Sequence, residues 1–95
     1  MPHPAYPDVY TLSIQRSHLT SEAALRVPEG RVRMKLLVQT DGTVGSVEVL
    51  VSSGIPELDR ATAEALKAWR FEPARQDGRP ILAYYVLWVT FRVEP

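Results

Sequence analysis

The chain has 95 residues, which is the size of a single domain with one hydrophobic core. Its 11 basic and 11 acidic side chains give a formal net charge of zero, so the chain has no overall electrostatic attraction to DNA, RNA or an anionic membrane surface. The absence of cysteine excludes a disulfide framework and a thiolate metal site. No apolar run reaches the roughly 18 residues of a membrane span, so we do not expect the chain itself to be membrane-embedded.

The N-terminal stretch "MPHPAYPD" holds three of the eight prolines, a composition typical of a linker end. Residues 9–18 are compatible either with a short strand or with an extended arm that lies on the body of the domain. We therefore predict a linker end and extended arm over residues 1–18 and a folded domain over 19–95, which we expect to be one part of a longer protein. The folded domain is predicted to open with a short helix over residues 19–26, with Thr20 or Ser21 as its N-cap.

A β-hairpin follows. The stretch "RVRMKLLV" places Val32, Met34, Leu36 and Val38 on one face of a strand, opposite a mostly polar face. The stretch "TDGT" predicts the turn, because Gly42 can supply the positive φ that hairpin turns require. The returning strand "VGSVEVLV" alternates in the same way. Together they predict a hairpin whose apolar face needs a cover.

The next segment predicts a helix over residues 57–69. Pro56 suits its first turn, and Glu57 and Asp59 place negative charge at the positive end of the helix dipole. An apolar stripe at helical spacing predicts the face that covers the hairpin. The stripe contains Leu58, Thr62, Ala65, Leu66 and Trp69. After Pro73 ends the helix, Trp69 and Phe71 are expected to turn inward over the end of the sheet.

After a turn at "QDGRP", residues 81–93 predict a long strand with apolar residues on both faces. The predicted architecture is α+β: a three-stranded antiparallel sheet of order 2-1-3, with two helices on one face. This order places strand 81–93 at an edge, with a row of unpaired amides and carbonyls. Two interpretations remain open: the 9–18 arm or a loop covers that edge, or another chain pairs with it.

Over roughly residues 29–93, the sequence resembles the C-terminal domain of TonB-type energy transducers. The matching features are Gly30, Asp41-Gly42, Ser53-Gly54, Leu58-Asp59, Trp69-Arg70-Phe71-x-Pro73, Gly78 and Phe91. The resemblance implies a periplasmic domain of an inner-membrane-anchored protein of a Gram-negative-type bacterium. It implies that the domain receives proton-motive-force-driven pull from an ExbB–ExbD-type motor through a preceding part of the protein.

The resemblance also implies the binding partner, an outer-membrane receptor whose extended TonB box adds as a strand beside the last strand. The implied partner-binding residues are Ala83, Tyr84, Tyr85, Val86, Leu87, Trp88 and Val89, together with Gln15 and Arg16. The alternative is that the same fold serves another envelope or signalling protein as an interaction module without force transmission. We further expect either a monomer or a weak homodimer, which would pair through strand 81–93.

Catalysis, a cofactor and a metal site are all predicted to be absent. His3 and His18 are the only histidines, and each lacks a second ligand at metal-binding spacing. Ser52-Ser53-Gly54 lacks the glycine pattern of a nucleophile elbow. Tyr84 and Trp88 share the sheet face away from the helices, where a small second core, a receptor contact and a homodimer seam are all compatible with the sequence.

Overall fold

The computed structural model describes residues 9–95, so the linker predicted over residues 1–8 lies outside the described residues. Residues 9–95 form six strands and two α-helices. In order they are β1 (Val9–Gln15), α1 (Glu22–Arg26), β2 (Glu29–Val38), β3 (Val44–Val51), α2 (Pro56–Lys67), β4 (Ala74–Gln76), β5 (Arg79–Ile81) and β6 (Ala83–Glu94). A 3-10 turn over Arg16–His18 joins β1 to the segment before α1.

The main sheet has four strands in the order β1-β6-β2-β3. The antiparallel part β6-β2-β3 has the predicted 2-1-3 order, and the α+β class is confirmed. The prediction of a three-stranded, purely antiparallel sheet is wrong, because β1 pairs with β6 in parallel, from Val9 opposite Trp88 to Gln15 opposite Glu94. Strand β6 is therefore not an open edge along its whole length.

Strand β1 adds to the sheet because its apolar side chains alternate. Tyr10 and Ile14 are buried and Leu12 is half-buried, whereas Thr11 and Ser13 are exposed. This pattern is that of a strand with one face on the core. Of the two interpretations of the 81–93 edge, coverage by the N-terminal arm holds over Trp88–Glu94.

Helix α2 covers the sheet through the predicted stripe. Leu58, Thr62 and Leu66 are fully buried, and the Thr62 hydroxyl donates to the Leu58 carbonyl at 2.8 Å, which satisfies the one buried polar side chain among the described residues. The helix ends at Lys67, two residues earlier than predicted. Phe71 is buried and Trp69 is half-buried, so both turn inward as predicted, with Phe71 the deeper of the two.

Two carboxylates at the start of α2 bind neighbouring segments. The Glu57 carboxylate accepts hydrogen bonds from the amides of Ser21 at 2.7 Å and Thr20 at 2.8 Å, and so ties α2 to the start of α1. Ser21 is the N-cap of α1, with its hydroxyl accepting from the Ala24 amide at 3.0 Å. Asp59 accepts a hydrogen bond from the Ser53 amide at 2.9 Å, which fixes the connection from β3.

The turn predicted at "QDGRP" is a complete small hairpin, β4–β5. Asp77 and Gly78 both have positive φ, at 52° and 80°, as a two-residue type I′ turn requires. The predicted strand 81–93 is consequently divided: Ile81 ends β5, Leu82 lies outside both strands, and β6 begins at Ala83.

Candidate partner-binding site

The direction of the β6 amides determines which residues can bind an added strand. Val93 donates its amide to the Pro28 carbonyl at 2.9 Å, so the Val93 amide faces β2. The β2–β6 register has no irregularity, and amides alternate between the two sides of a strand. The amides of Ala83, Tyr85 and Leu87 therefore also face β2, whereas those of Tyr84 and Val86 face the other side.

On that other side, β1 covers only the second half of β6. Its first residue, Val9, lies opposite Trp88, and within residues 9–95 no strand pairs with this side of Ala83–Leu87. Tyr84 and Val86 thus present main-chain donors and acceptors in line with β1. We call this stretch, Ala83–Leu87, the acceptor row.

Aromatic rings line the helix-side flank of the acceptor row. Tyr85 packs edge-on against Phe71, with ring centroids 6.3 Å apart, and its hydroxyl donates to the Glu72 carbonyl at 3.0 Å. Tyr10 of β1 packs edge-on against both Trp69 and Phe71, at 5.7 Å and 5.9 Å. Burial raises the pKa of the Tyr85 hydroxyl above its ordinary value of 10.0. This flank suits apolar side chains of an added strand.

The opposite sheet face carries cations stacked on aromatic rings. The Lys35 ammonium lies 4.4 Å from the Tyr84 ring centroid, and the guanidinium carbons of Arg31 and Arg33 lie 4.5 Å and 5.3 Å from that of Trp88. Within residues 9–95 these three cations form no ion pair. We call this surface the cationic face. The cationic face could not be predicted from the sequence alone, because it depends on the strand register that places basic and aromatic residues side by side.

The predicted partner-binding residues of the last strand have distinct environments. Tyr84 and Val86 are 61% and 42% exposed, and both have their amides on the side that no strand of residues 9–95 covers. Leu87 is buried in the core. Trp88 and Val89 lie opposite Val9 and Tyr10, so β1 already occupies that position.

The predicted N-terminal contacts are Gln15, the last residue of β1, and Arg16, in the 3-10 turn after it; both lie at the end of β1 that is farther from the acceptor row. Arg16 donates to the carbonyls of Leu25 and, at 3.3 Å, Val93, and so fastens the end of β1 to the body of the domain. Gln15 is exposed and lines a groove of about 440 Å³ between β1 and α2. The fold therefore does not bring these two residues together with Ala83–Leu87.

Within residues 9–95, no three His, Asp or Glu side chains are grouped so that they could hold a metal ion. His18, the one histidine in this range, lines the β1–α2 groove. Neither helix in this part of the chain has the length and hydropathy that a membrane span requires.

Comparison with known proteins assigns the family. The family model of the Gram-negative bacterial TonB protein C-terminal matches residues 15–93. The chain belongs to the TonB C-terminal family. It is 31% identical over 72 residues to protein TonB of Pseudomonas aeruginosa, covering 76% of this chain and 21% of that protein. It is 32% identical over 66 residues to protein TonB of Vibrio cholerae, covering 70% of this chain and 27% of that protein.

A solved structure of the TonB2 protein from Vibrio anguillarum shares the fold, with a TM-score of 0.53 and 26% identity. The match covers 80% of this chain and 73% of that one. The matched region starts at the end of β1, so most of β1 lies outside the family model. The chain spans between 21% and 27% of the length of the two TonB proteins.

Proposed function

We propose that this domain binds an extended receptor segment, the TonB box, by adding it as a strand to the acceptor row. In this proposal the chain is the periplasmic part of a TonB-type energy transducer that is anchored in the inner membrane of a Gram-negative bacterium. A pulling force from an ExbB–ExbD-type motor, driven by the proton-motive force, reaches the domain through a preceding part of the transducer. The bound segment transmits this force to the outer-membrane receptor for active uptake. The domain acts by binding, without catalysis.

The observation that carries the proposal is the pair of outward amides at Tyr84 and Val86. They continue the line of β1, and within residues 9–95 nothing pairs with them. A polar main chain at an uncovered strand edge is a template for strand addition. Membership of the TonB C-terminal family supports the receptor as the source of the strand.

The expected affinity is modest. Two residues supply at most four main-chain hydrogen bonds, and each contributes about 0.5–1.5 kcal/mol net. The peptide must also lose conformational entropy when it is ordered. A weak complex suits a partner that is pulled and then released.

The test is amide chemical-shift mapping with a receptor peptide, combined with two proline variants. Val86→Pro removes an outward amide and should abolish binding while the fold persists. Val49→Pro is the matched control, because Val49 lies opposite Met34 in β3 and its amide points away from β2 at the far edge of the sheet. Leu87→Pro should instead break the β2–β6 ladder and lower stability.

The expected result is shift changes centred on Tyr84 and Val86, with binding lost in Val86→Pro and retained in Val49→Pro. Shift changes confined to α2 or β3 would contradict the proposal. Unchanged binding by a folded Val86→Pro variant would contradict it equally.

A further inference from the structure

Lys35 has a carboxylate neighbour in the sheet but is turned away from it. In the strand register Lys35 lies between Glu48 on β3 and Val86 on β6. Its ammonium lies over the Tyr84 ring on β6, 4.4 Å from the centroid, and makes no ion pair with Glu48. The charge is thus displaced towards the acceptor row.

Arg31 and Arg33 are displaced in the same direction, since both lie over the Trp88 ring of β6. Three cations from one strand are therefore gathered beside β6, although the whole chain has a net charge of zero. A face with this local charge is complementary to carboxylates rather than to cations.

Val86 leaves a gap between the two aromatic rings. Its short side chain lies on the same face as Tyr84 and Trp88, and it is 42% exposed. An added strand places one side chain directly opposite Val86 on this face, about 5 Å away between Cβ atoms. A Glu or Asp side chain at that position can extend over Val86 towards the Lys35 ammonium.

The adjacent positions of an added strand point to the other side of the sheet. There they meet the aromatic flank of Tyr85, Phe71 and Trp69. The two faces of one peptide therefore meet different chemistry: an apolar, aromatic surface on the helix side and a cationic surface on the other.

From this we infer that the acceptor row selects an extended segment that alternates apolar and acidic side chains, with the acidic residue opposite Val86 and facing Lys35. The inference rests on the proposed function, which requires strand addition but sets no charge on the strand. Main-chain hydrogen bonds supply binding, and the cationic face supplies discrimination.

The test compares three capped heptapeptides in which valine occupies every second position. The positions between the valines hold glutamate in the first peptide, glutamine in the second and lysine in the third. Dissociation constants are measured with the 95-residue chain at low ionic strength and again at high salt. A fourth peptide has the composition of the valine–glutamate peptide, but its valines and its glutamates form two separate blocks. It shows whether binding depends on the alternating order or only on the net charge of the peptide. Lys35→Gln tests the proposed contact, and Lys67→Gln on the exposed side of α2 makes the same charge change away from it.

The glutamate peptide is expected to bind about threefold to fivefold more tightly than the glutamine peptide, because exposed ion pairs are individually weak. The lysine peptide should bind least. Lys35→Gln and high salt should each reduce the preference to less than about twofold, whereas Lys67→Gln should leave it intact.

Equal binding of the glutamate and glutamine peptides, with shift changes at Tyr84 and Val86, would overturn the charge inference and leave the proposed function standing. Equal binding of the blocked-order and alternating peptides would also overturn it. If none of the peptides perturbs Tyr84 or Val86, both the inference and the proposed function fail.

Discussion

Gly30 lies directly opposite Phe91 in the β2–β6 ladder, and the Phe91 ring covers the space that a side chain at position 30 would occupy. A Cβ atom built on Gly30 would lie 2.6 Å from the Phe91 ring, and Phe91 is fully buried. The two positions, which both contribute to the family resemblance, are therefore linked by one packing contact.

The contact predicts that Gly30→Ala destabilises the domain by about 1–3 kcal/mol, the usual range for adding a methyl group to a packed core. Chemical denaturation measures the loss. Gly45→Ala is the control: its new Cβ would lie 3.0 Å from the amide tip of the exposed Gln39 side chain, which can move. Equal losses for both variants would show that the Phe91 ring is not the cause.

The aromatic pair after α2 makes a second prediction. Phe71 is 3% exposed and also donates its amide to the Gly42 carbonyl at 2.8 Å, whereas Trp69 is only half-buried. Phe71→Ala should therefore cost about 3–5 kcal/mol, and Trp69→Ala should cost less, although Trp is the larger residue. Unfolding free energies of the two variants, measured under the same conditions, check the order. A larger loss for Trp69→Ala would contradict the packing of this region.

The hairpin and α2 could be predicted from the sequence because their periodicity is local. Each strand of the hairpin alternates within its own sequence, and the short connection over residues 39–43 brings the two strands together as partners. Strand β1 could not be assigned in the same way. Its alternating apolar positions are only Tyr10, Leu12 and Ile14. Its partner β6 lies almost the whole chain away, so no short turn between the two strands indicates that they pair.

The cationic face of the candidate site also depends on contacts between strands that are far apart in the sequence. The sequence places basic residues on alternate positions of β2 and aromatic residues on alternate positions of β6. Which cation lies over which ring depends on the register between the two strands, which brings Arg33 opposite Trp88 and leaves Lys35 diagonal to Tyr84. The acceptor row, in turn, depends on where β1 begins to pair.

Glu57 should make the stability of the domain depend on acid pH. The amides of Ser21 and Thr20 hold the pKa of its carboxyl below the ordinary value of 4.5. The unfolded chain then takes up the proton more readily, so the stabilisation is complete above about pH 4.5 and is lost as the pH falls through the folded-state pKa. Denaturation at a series of pH values between neutral and acid should show this decline.

Glu57→Gln should lower stability at neutral pH and make the acid decline shallower. It should not remove the decline, because hydrogen bonds from the Thr43 hydroxyl and amide also lower the pKa of Asp41. Glu64→Gln is the control, since Glu64 forms its ion pair, of 3.4 Å, with Lys67 on its own helix. An unchanged acid decline in Glu57→Gln would contradict the link between the two helices.

Self-association is expected to be weak and to use β3 rather than the predicted seam in strand 81–93. Strand β3 is an edge strand with three successive apolar residues that are 39–45% exposed, Val49, Leu50 and Val51. Such an edge favours pairing with a second copy. Sedimentation over a concentration series should show a dimer that Val49→Lys weakens. A dimer that responds to Val86→Lys and not to Val49→Lys would place the seam at β6.

The parallel pairing of β1 predicts that β6 accepts a strand in trans along Trp88–Glu94 as well. A chain that begins at Arg16 lacks β1 and should be less stable, because it loses the buried side chains of Tyr10 and Ile14. A free peptide of residues 9–15 should restore part of that stability, and its effect should grow with the logarithm of the peptide concentration, as for any ligand of the folded state. The unfolding midpoint of the shortened chain is the measurement.

The control is a peptide of the same composition in which the residues equivalent to Tyr10, Leu12 and Ile14 are placed consecutively. Only the alternating order directs all three side chains to the helix side of the sheet. If both peptides act equally, or neither does, β1 does not add to β6 as an independent strand.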